Sequence, residues 1–110
     1  MTYNRNSTRY YSARQEKKVA KALNGKVVPN SGAIRFGAGD VILNDWLIEC
    51  KTKTKESDSF TIKKDWIIKN QEEAFAMRKP YNALTIDFGD GEQYYLIDSK
   101  TFKTFLENLL

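Results

Sequence analysis

Histidine is absent from this sequence, and cysteine occurs only once, as Cys50. A single cysteine cannot form a disulfide within the chain, and the lack of histidine excludes the usual Cys/His type of zinc site. Any metal ion bound by the chain would therefore be held by oxygen ligands.

Long apolar runs, internal repeats and Pro/Gly-rich linkers are absent as well. A bilayer-spanning helix needs roughly 18 apolar residues, and a signal peptide needs an apolar stretch, which the opening MTYNRNSTRYYS lacks. With 41% apolar and 29% charged residues, the composition is that of a folded globular protein. We expect one domain over residues 1–110, located in the cytoplasm and not attached to a membrane.

Positive charge is concentrated near the start of the chain. The net charge is +4, but residues 1–26 carry seven basic side chains against Glu16 alone, whereas residues 81–110 carry five acids and two lysines. Tyr3, Tyr10 and Tyr11 are interleaved with these basic residues. The mixture suits contact with a phosphate backbone, although a solvated lysine-rich helix has the same composition. We predict that residues 1–7 form a mobile arm that contacts DNA.

The spacing of apolar residues predicts the order α-β-β-β-α-β-β-α, an α/β domain with a mixed central sheet flanked by helices. Ser12 and Gln15 have the pattern of a capping box, Gly25 is placed to end the first helix, and Pro80 to end the second. Ser99 is placed to cap the last helix. The predicted helices cover residues 9–24, 61–79 and 99 onward, with strands at 26–29, 39–43, 46–51, 82–88 and 93–98. The last helix has one apolar face, formed by Phe102, Phe105, Leu106 and Leu109.

The first hairpin allows a calculation of strand register. If Asn44 and Asp45 form its turn, pairing places Asp40 directly opposite Glu49. Directly opposed residues have Cβ atoms about 4.5–5.5 Å apart on one face, and two like charges at that distance repel each other. By strand alternation Lys51 projects from the same face as Glu49, whereas the Cys50 side chain points to the other face. The hairpin thus predicts a patch of two acids and a lysine that a cation would stabilise.

Such a patch contains the groups needed to hydrolyse a phosphodiester. The carboxylates are ligands suited to one or two Mg²⁺ ions, with Mn²⁺ as a substitute, and the backbone carbonyl of Cys50 is within reach of the same ion. Lys51 is placed to orient or deprotonate the attacking water and to stabilise the transition state. Glu16 shares the inward stripe of the first helix with Val19, Ala20 and Leu23, which makes it a further candidate ligand.

Gly39-Asp40, eight intervening residues and Glu49-Cys50-Lys51 resemble the signature of the PD-(D/E)XK nuclease superfamily, which includes restriction endonucleases and archaeal-type Holliday junction resolvases. The predicted elements over residues 9–88 are similar to the core of that superfamily. The motif is short, and its apolar flanks, Val41-Ile42-Leu43 and Trp46-Leu47-Ile48, make it informative. The resemblance implies a restriction-endonuclease-like core and Mg²⁺-dependent hydrolysis of DNA to a 5′-phosphate and a 3′-hydroxyl.

Within the superfamily, the chain is most similar to the archaeal-type and phage Holliday junction resolvases. Those enzymes use an acid on the first helix and a serine in the loop before the aspartate. The corresponding catalytic set is Glu16, Ser31, Asp40, Glu49 and Lys51. Gly39 stands where these enzymes usually have a proline. The tight hairpin leaves little room for the longer loop of some resolvases, and this departure concerns the type of DNA substrate.

The resemblance implies a homodimer that cuts a four-way DNA junction in recombination, since a symmetric junction matches a twofold protein. The alternatives are a structure-nonspecific or nicking endonuclease from a phage or mobile element, and a DNA-binding module with an inactive site. Candidate contacts to DNA phosphates are Arg5, Arg9, Arg14, Arg35, Lys53, Lys55 and Lys63.

Structural interpretations of the same residues stay open. Asp40 and Glu49 would also fit a solvated ion cluster with nearby lysines. Glu16 would also fit an exposed position on the first helix, and Ser31 would also fit a simple turn residue.

Two tryptophans and a glutamine complete the set of candidate residues. Trp46 and Trp66 are more typical of a core than of base stacking. Gln71, in the second helix, is expected to face the site.

Overall fold

The computed structural model describes residues 8–28 and 40–109, with only the backbone of Thr8. The predicted arm at residues 1–7, Pro29 and the loop at residues 30–39 lie outside the described residues. The elements follow the predicted order: α1 (Thr8–Leu23), β1 (Lys26–Val27), β2 (Asp40–Ile42), β3 (Trp46–Thr52), α2 (Lys64–Ala76), β4 (Tyr81–Asp87), β5 (Gln93–Leu96) and α3 (Ser99–Leu109).

The five strands form one sheet in the order β1-β2-β3-β4-β5. Only β3 and β4 are parallel, and all other neighbours are antiparallel. A parallel pair cannot be joined by a tight turn, so the chain crosses over through α2 between these strands. The predicted α/β domain with a mixed central sheet is confirmed.

The helices cover opposite faces of the sheet. Val19 and Ala20 of α1 pack with Val41, Ile48 and Cys50 in the main buried cluster. The alternate residues of β3, which include Glu49 and Lys51, must therefore project from the other face. That second face is covered by α2, whose contacts are with β3 and β4.

The bounds of α1 agree with the prediction within one residue, but its caps differ. The helix begins at Thr8, so Ser12 lies inside it and caps nothing, while the side chain of Gln15 is buried against the sheet. At the other end, Asn24 and not Gly25 adopts the left-handed conformation, with φ 58°. Gly25 is required for another reason: a Cβ there would lie 2.7 Å from the carbonyl oxygen of Ile42.

The second helix is shorter at both ends than the predicted 61–79. It begins after Lys63, which has extended backbone, and its last turn closes through a hydrogen bond from the Lys79 N–H to the Ala74 carbonyl. Arg78 takes the left-handed conformation, with φ 59°, just before Pro80. The helix thus ends by a left-handed C-terminal turn several residues before the proline.

The last helix is capped by Asp98 and not by Ser99. Asp98 Oδ1 accepts a hydrogen bond of 2.7 Å from the Thr101 N–H. The predicted apolar face is only partly buried: Phe105 packs on the rings of Trp46 and Tyr81, whereas the other three members are exposed. These exposed members are Phe102, Leu106 and Leu109.

Candidate active site

The hairpin of β2 and β3 has the register calculated from the sequence. Asp40 pairs with Glu49, Val41 with Ile48 and Ile42 with Leu47. The Leu43 N–H donates to the Trp46 carbonyl at 3.0 Å, which leaves Asn44 and Asp45 as the turn. Because a two-residue turn fixes the pairing of both strands, the two acids are held face to face.

Lys51 joins the two acids on the same face, as alternation predicts. Its ammonium lies 3.0 Å from Glu49 Oε2 and 4.3 Å from the ring centroid of Trp66 on α2. The ammonium is therefore held between a carboxylate and an aromatic face. Trp66 is half-buried and borders the site, whereas Trp46 packs against the main core as expected.

A third carboxylate, from Glu73 of α2, completes the patch. Carboxylate oxygens of Asp40, Glu49 and Glu73 all lie within 4.8 Å of one another. The sequence pattern predicts Gln71, and not Glu73, as the residue of α2 that faces the site. Gln71 is exposed and hydrogen-bonds to Asp98, so that assignment is wrong.

The sequence shows the spacing of Glu73 from Trp66 and Asn70, but only the structure shows that these three residues share the inward face of α2. Half-buried Trp66, buried Asn70 and Glu73 follow one another at helical spacing, and they form the stripe of α2 that faces the sheet. Asn70 is buried because its amide donates to the Leu47 carbonyl and accepts from Asn82 Nδ2 at 2.9 Å. A buried asparagine thus marks the inward face better than the apolar residues of this helix do.

The electrostatics of the patch favour a neutral Asp40. This carboxyl is 3% exposed. Burial raises its pKa to about 8, and the charges of Glu49, Glu73 and Glu16 act in the same direction. Burial and the Glu49 charge also raise the pKa of Glu73, which is hydrogen-bonded to Asp40. At neutral pH Asp40 therefore retains a proton that it shares with Glu73.

Glu16 is buried, with 5% of its surface exposed, so the exposed-helix alternative is wrong. Its helix covers the other face of the sheet, and Glu16 is not among the three clustered carboxylates. Burial raises the pKa of Glu16, and its charge in turn raises the pKa of Asp40 and of Cys50. Within the described part of the chain, its Oε2 has no hydrogen-bond partner. Glu16 therefore influences the patch through its charge.

The donor set fits a divalent cation. Three carboxylates converge on one point, where burial and then the charges of Glu49, Glu73 and Glu16 raise the pKa of Asp40. Hard cations such as Mg²⁺ bind carboxylate oxygens while retaining several waters. A cation at this position would replace the shared proton. The Cys50 side chain plays no part, since it is buried in the core on the other face.

The predicted DNA-contacting residues fall into two groups. Arg5 and Arg35 lie outside the described residues, as does Ser31, which was predicted to be catalytic. Lys53 has its ammonium 5.4 Å from the ring of Phe60, and Lys63 lies 6.0 Å from the ring of Trp66, so both flank the site.

Three more predicted contacts lie on described elements. Lys55 is exposed in the segment after β3. Arg9 is half-buried on α1, where its charge partly offsets the burial that raises the pKa of Glu16. Arg14 is exposed, with its guanidinium 5.8 Å from the ring of Tyr10.

No protein-family model matches the chain, and comparison with curated proteins and with solved structures gives no significant match. Among the helices of the described residues, none combines the length and the apolar character needed to cross a membrane.

Proposed function

We propose that this protein is a Mg²⁺-dependent DNA endonuclease with a restriction-endonuclease-like core, whose active site is built on Asp40, Glu49, Lys51 and Glu73. The observation that supports this most directly is the pairing of Asp40 with Glu49, with Lys51 on the same face. Two acids and a lysine on adjacent strands, with a third acid from α2, provide the metal ligands and the positive charge that phosphodiester hydrolysis requires.

The three carboxylates would hold the cation, and Mn²⁺ would substitute for Mg²⁺. A bound divalent cation supplies positive charge to the phosphate and acidifies water. Glu49 holds the Lys51 ammonium at 3.0 Å, so that this second positive charge has a fixed position beside the phosphate. Lys51 orients the attacking water and stabilises the negative charge that develops on the phosphate oxygens.

We further propose that the substrate is branched DNA, in particular a four-way junction, cut by a homodimer. The positive charge of residues 1–26 suits a DNA backbone. One site per chain cuts both strands of a symmetric junction most simply when two chains are related by a twofold axis.

Cleavage of labelled DNA tests the proposal. We expect the protein to cut a four-way junction in Mg²⁺, to cut linear duplex and single strand much more slowly, and to cut nothing in EDTA. Glu49→Gln should abolish cleavage without weakening DNA binding, because a ligand charge is lost while the basic contacts remain. Glu107→Gln, an exposed acid on α3, is the matched control and should cut at the parental rate.

The result distinguishes the alternatives. Equal cleavage of branched and linear DNA would identify a structure-nonspecific or nicking endonuclease. Binding without metal-dependent cleavage would leave a DNA-binding module with an inactive site. Full activity of Glu49→Gln would contradict the assignment of the active site.

A further inference from the structure

A pocket of about 80 Å³ lies at the carboxyl ends of β3 and β4, bordered by α1. Three basic residues line it: Arg14 and Lys18, one turn apart on α1, and Lys53, which follows β3 and whose ammonium lies 5.4 Å from the ring centroid of Phe60. Asp87 is its one acidic lining residue among those described. The surplus of positive charge favours an anion.

The charge of Asp87 is already engaged. Its Oδ1 accepts from the N–H groups of Gly89 and Gly91 at 2.8 and 3.0 Å, and its Oδ2 accepts from Gln93 Nε2 at 2.8 Å. Lys18 donates to the Gly91 carbonyl, which uses one of the three donors of its ammonium. Asp87 thus shapes the turn at one wall of the pocket through hydrogen bonds that do not involve the three basic residues.

Gln15 connects this pocket to the candidate active site. It lines the pocket, is 3% exposed, and its Nε2 donates to the Lys51 carbonyl and to Gln93 Oε1, both at 3.0 Å. Within the described residues its Oε1 has no partner, and a buried acceptor needs a donor. Water carried by a bound phosphate, or an amino group of a neighbouring base, would supply one.

We propose that this pocket, bounded by Arg14, Lys18 and Lys53, binds a phosphate of the DNA backbone that neighbours the phosphate being cut. Lys51 and Lys53 are two residues apart on the chain, about 7 Å for extended backbone, which is a spacing that adjacent nucleotides can bridge. The position relative to the cut bond rests on the proposed nuclease function. The affinity of the pocket for a DNA phosphate does not.

Two double variants of α1 test the pocket. Arg14→Gln with Lys18→Gln removes two pocket cations, whereas Lys17→Gln with Lys21→Gln removes the same charge at the same spacing from exposed positions outside the pocket. In EDTA we expect the pocket variant to bind junction DNA about tenfold more weakly than the control variant. The slope of log K against log salt should also be smaller by about 0.9, as expected for one lost phosphate contact. Circular dichroism and thermal unfolding of both variants establish that they are folded.

A DNA series with one neutral methylphosphonate per strand locates the contact. The parental protein should lose about tenfold in affinity when the phosphate bound by the pocket is neutral. The pocket variant should show no further loss at that position, while the control variant responds like the parent. Lys53→Gln, on the opposite wall, should show the same insensitivity as the pocket variant.

Different results would contradict the proposed phosphate site and the proposed nuclease function. Equal weakening by the two double variants, or an unchanged methylphosphonate response in the pocket variant, would overturn the phosphate site even if the protein cuts DNA. Selective loss of binding in a protein that never cuts DNA in Mg²⁺ would support the phosphate site and overturn the nuclease.

Discussion

At the level of single residues, the protonation of each acid in the site depends on its neighbours. Asp40 is too buried and too close to Glu49 and Glu73 to ionise at its usual pH. Lys51 lowers the pKa of Asp40 but does not outweigh burial. A bound cation would favour the ionised form of Asp40, and strongly shifted pKa values of this kind are common at functional sites.

Lys51 is the residue that separates a catalytic site from a plain metal site. We predict that Lys51→Ala leaves Mg²⁺ binding intact or slightly tighter, because a positive charge near the cation is removed. The cleavage rate should fall by about 10³-fold, since water orientation and transition-state stabilisation are both lost. Lys51→Arg should rescue little, because a planar guanidinium does not replace a compact ammonium. Calorimetry and single-turnover cleavage measure the two effects.

The control for Lys51 is Lys64→Ala, an exposed lysine at the start of α2. It should behave like the parent in both measurements. Cleavage at the parental rate by Lys51→Ala would show that Lys51 is only a surface lysine paired with Glu49.

Glu73 and its neighbour Glu72 provide a second matched pair. We predict that Glu73→Gln weakens Mg²⁺ binding about tenfold or more, because one of three converging carboxylates is neutralised. Glu72 is exposed on the outer face of α2, so Glu72→Gln should bind Mg²⁺ like the parent. Calorimetric titration of the two variants with Mg²⁺ decides the matter. Equal affinities would remove Glu73 from the site.

At the level of the elements, the N-terminus of α3 has two candidate cap residues, Asp98 and Ser99. Asp98 accepts a hydrogen bond from the Thr101 N–H, and this bond lowers the pKa of Asp98. We predict that Asp98→Ala lowers the free energy of unfolding at pH 7 by about 1 kcal/mol, as is typical for loss of an N-cap. Ser99→Ala should change it by less than about 0.5 kcal/mol. Urea denaturation provides both values.

The cap also has a defined pH dependence. Because the folded pKa of Asp98 lies below its unfolded value near 3.8, its contribution to stability is complete above that value. The contribution is lost as the pH falls through the folded pKa. The difference in stability between the parent and Asp98→Ala should therefore shrink in acid, and a constant difference down to strongly acidic pH would contradict a charged cap.

At the level of the whole molecule, the buried Asp40 makes folding depend on pH in the opposite sense. Its pKa rises from 3.8 to about 8 on folding, so the folded state binds more protons than the unfolded state between those values. In EDTA we predict that the free energy of unfolding falls as the pH rises through this window, by up to about 1.4 kcal/mol per pH unit. Mg²⁺ should stabilise the protein more at pH 8 than at pH 5, because the ionised carboxylate binds it.

Asp40→Asn isolates this effect. The variant should be more stable than the parent in EDTA at pH 8, should lose most of the pH dependence, and should gain little from Mg²⁺. Asp58→Asn, at an exposed position, should retain the parental profile. A parental profile in Asp40→Asn would mean that Asp40 is not the group that titrates.

Much of the site followed from the sequence because the hairpin is a local structure. A two-residue turn and a side-chain period of two are enough to pair Asp40 with Glu49 and to place Lys51 beside them. The same alternation placed the Cys50 side chain in the core. No contact between distant segments is needed for these conclusions, so the register was available from about a dozen consecutive residues.

Only the tertiary structure decided which faces of the helices meet the sheet. In α2 the apolar residues surround the helix, with Ile68 and Phe75 exposed, and its rotation is set by the hydrogen bonds of Asn70 to β3 and β4. That rotation brings Glu73 to Asp40. A helix with apolar residues on several sides does not define its own buried face, because partners far along the chain choose among them.

The same limit applies to α1 and to the pocket beside it. Gln15 resembled part of a cap in the sequence, and its hydrogen bonds to β3 and β5 span 36 and 78 residues of chain. Local patterns determined which segments form strands, their order along the chain and the opposed acids. The packing of helices on the sheet determined the third carboxylate, the burial of Glu16 and the cationic pocket, since each depends on contacts that form only when distant segments are brought together.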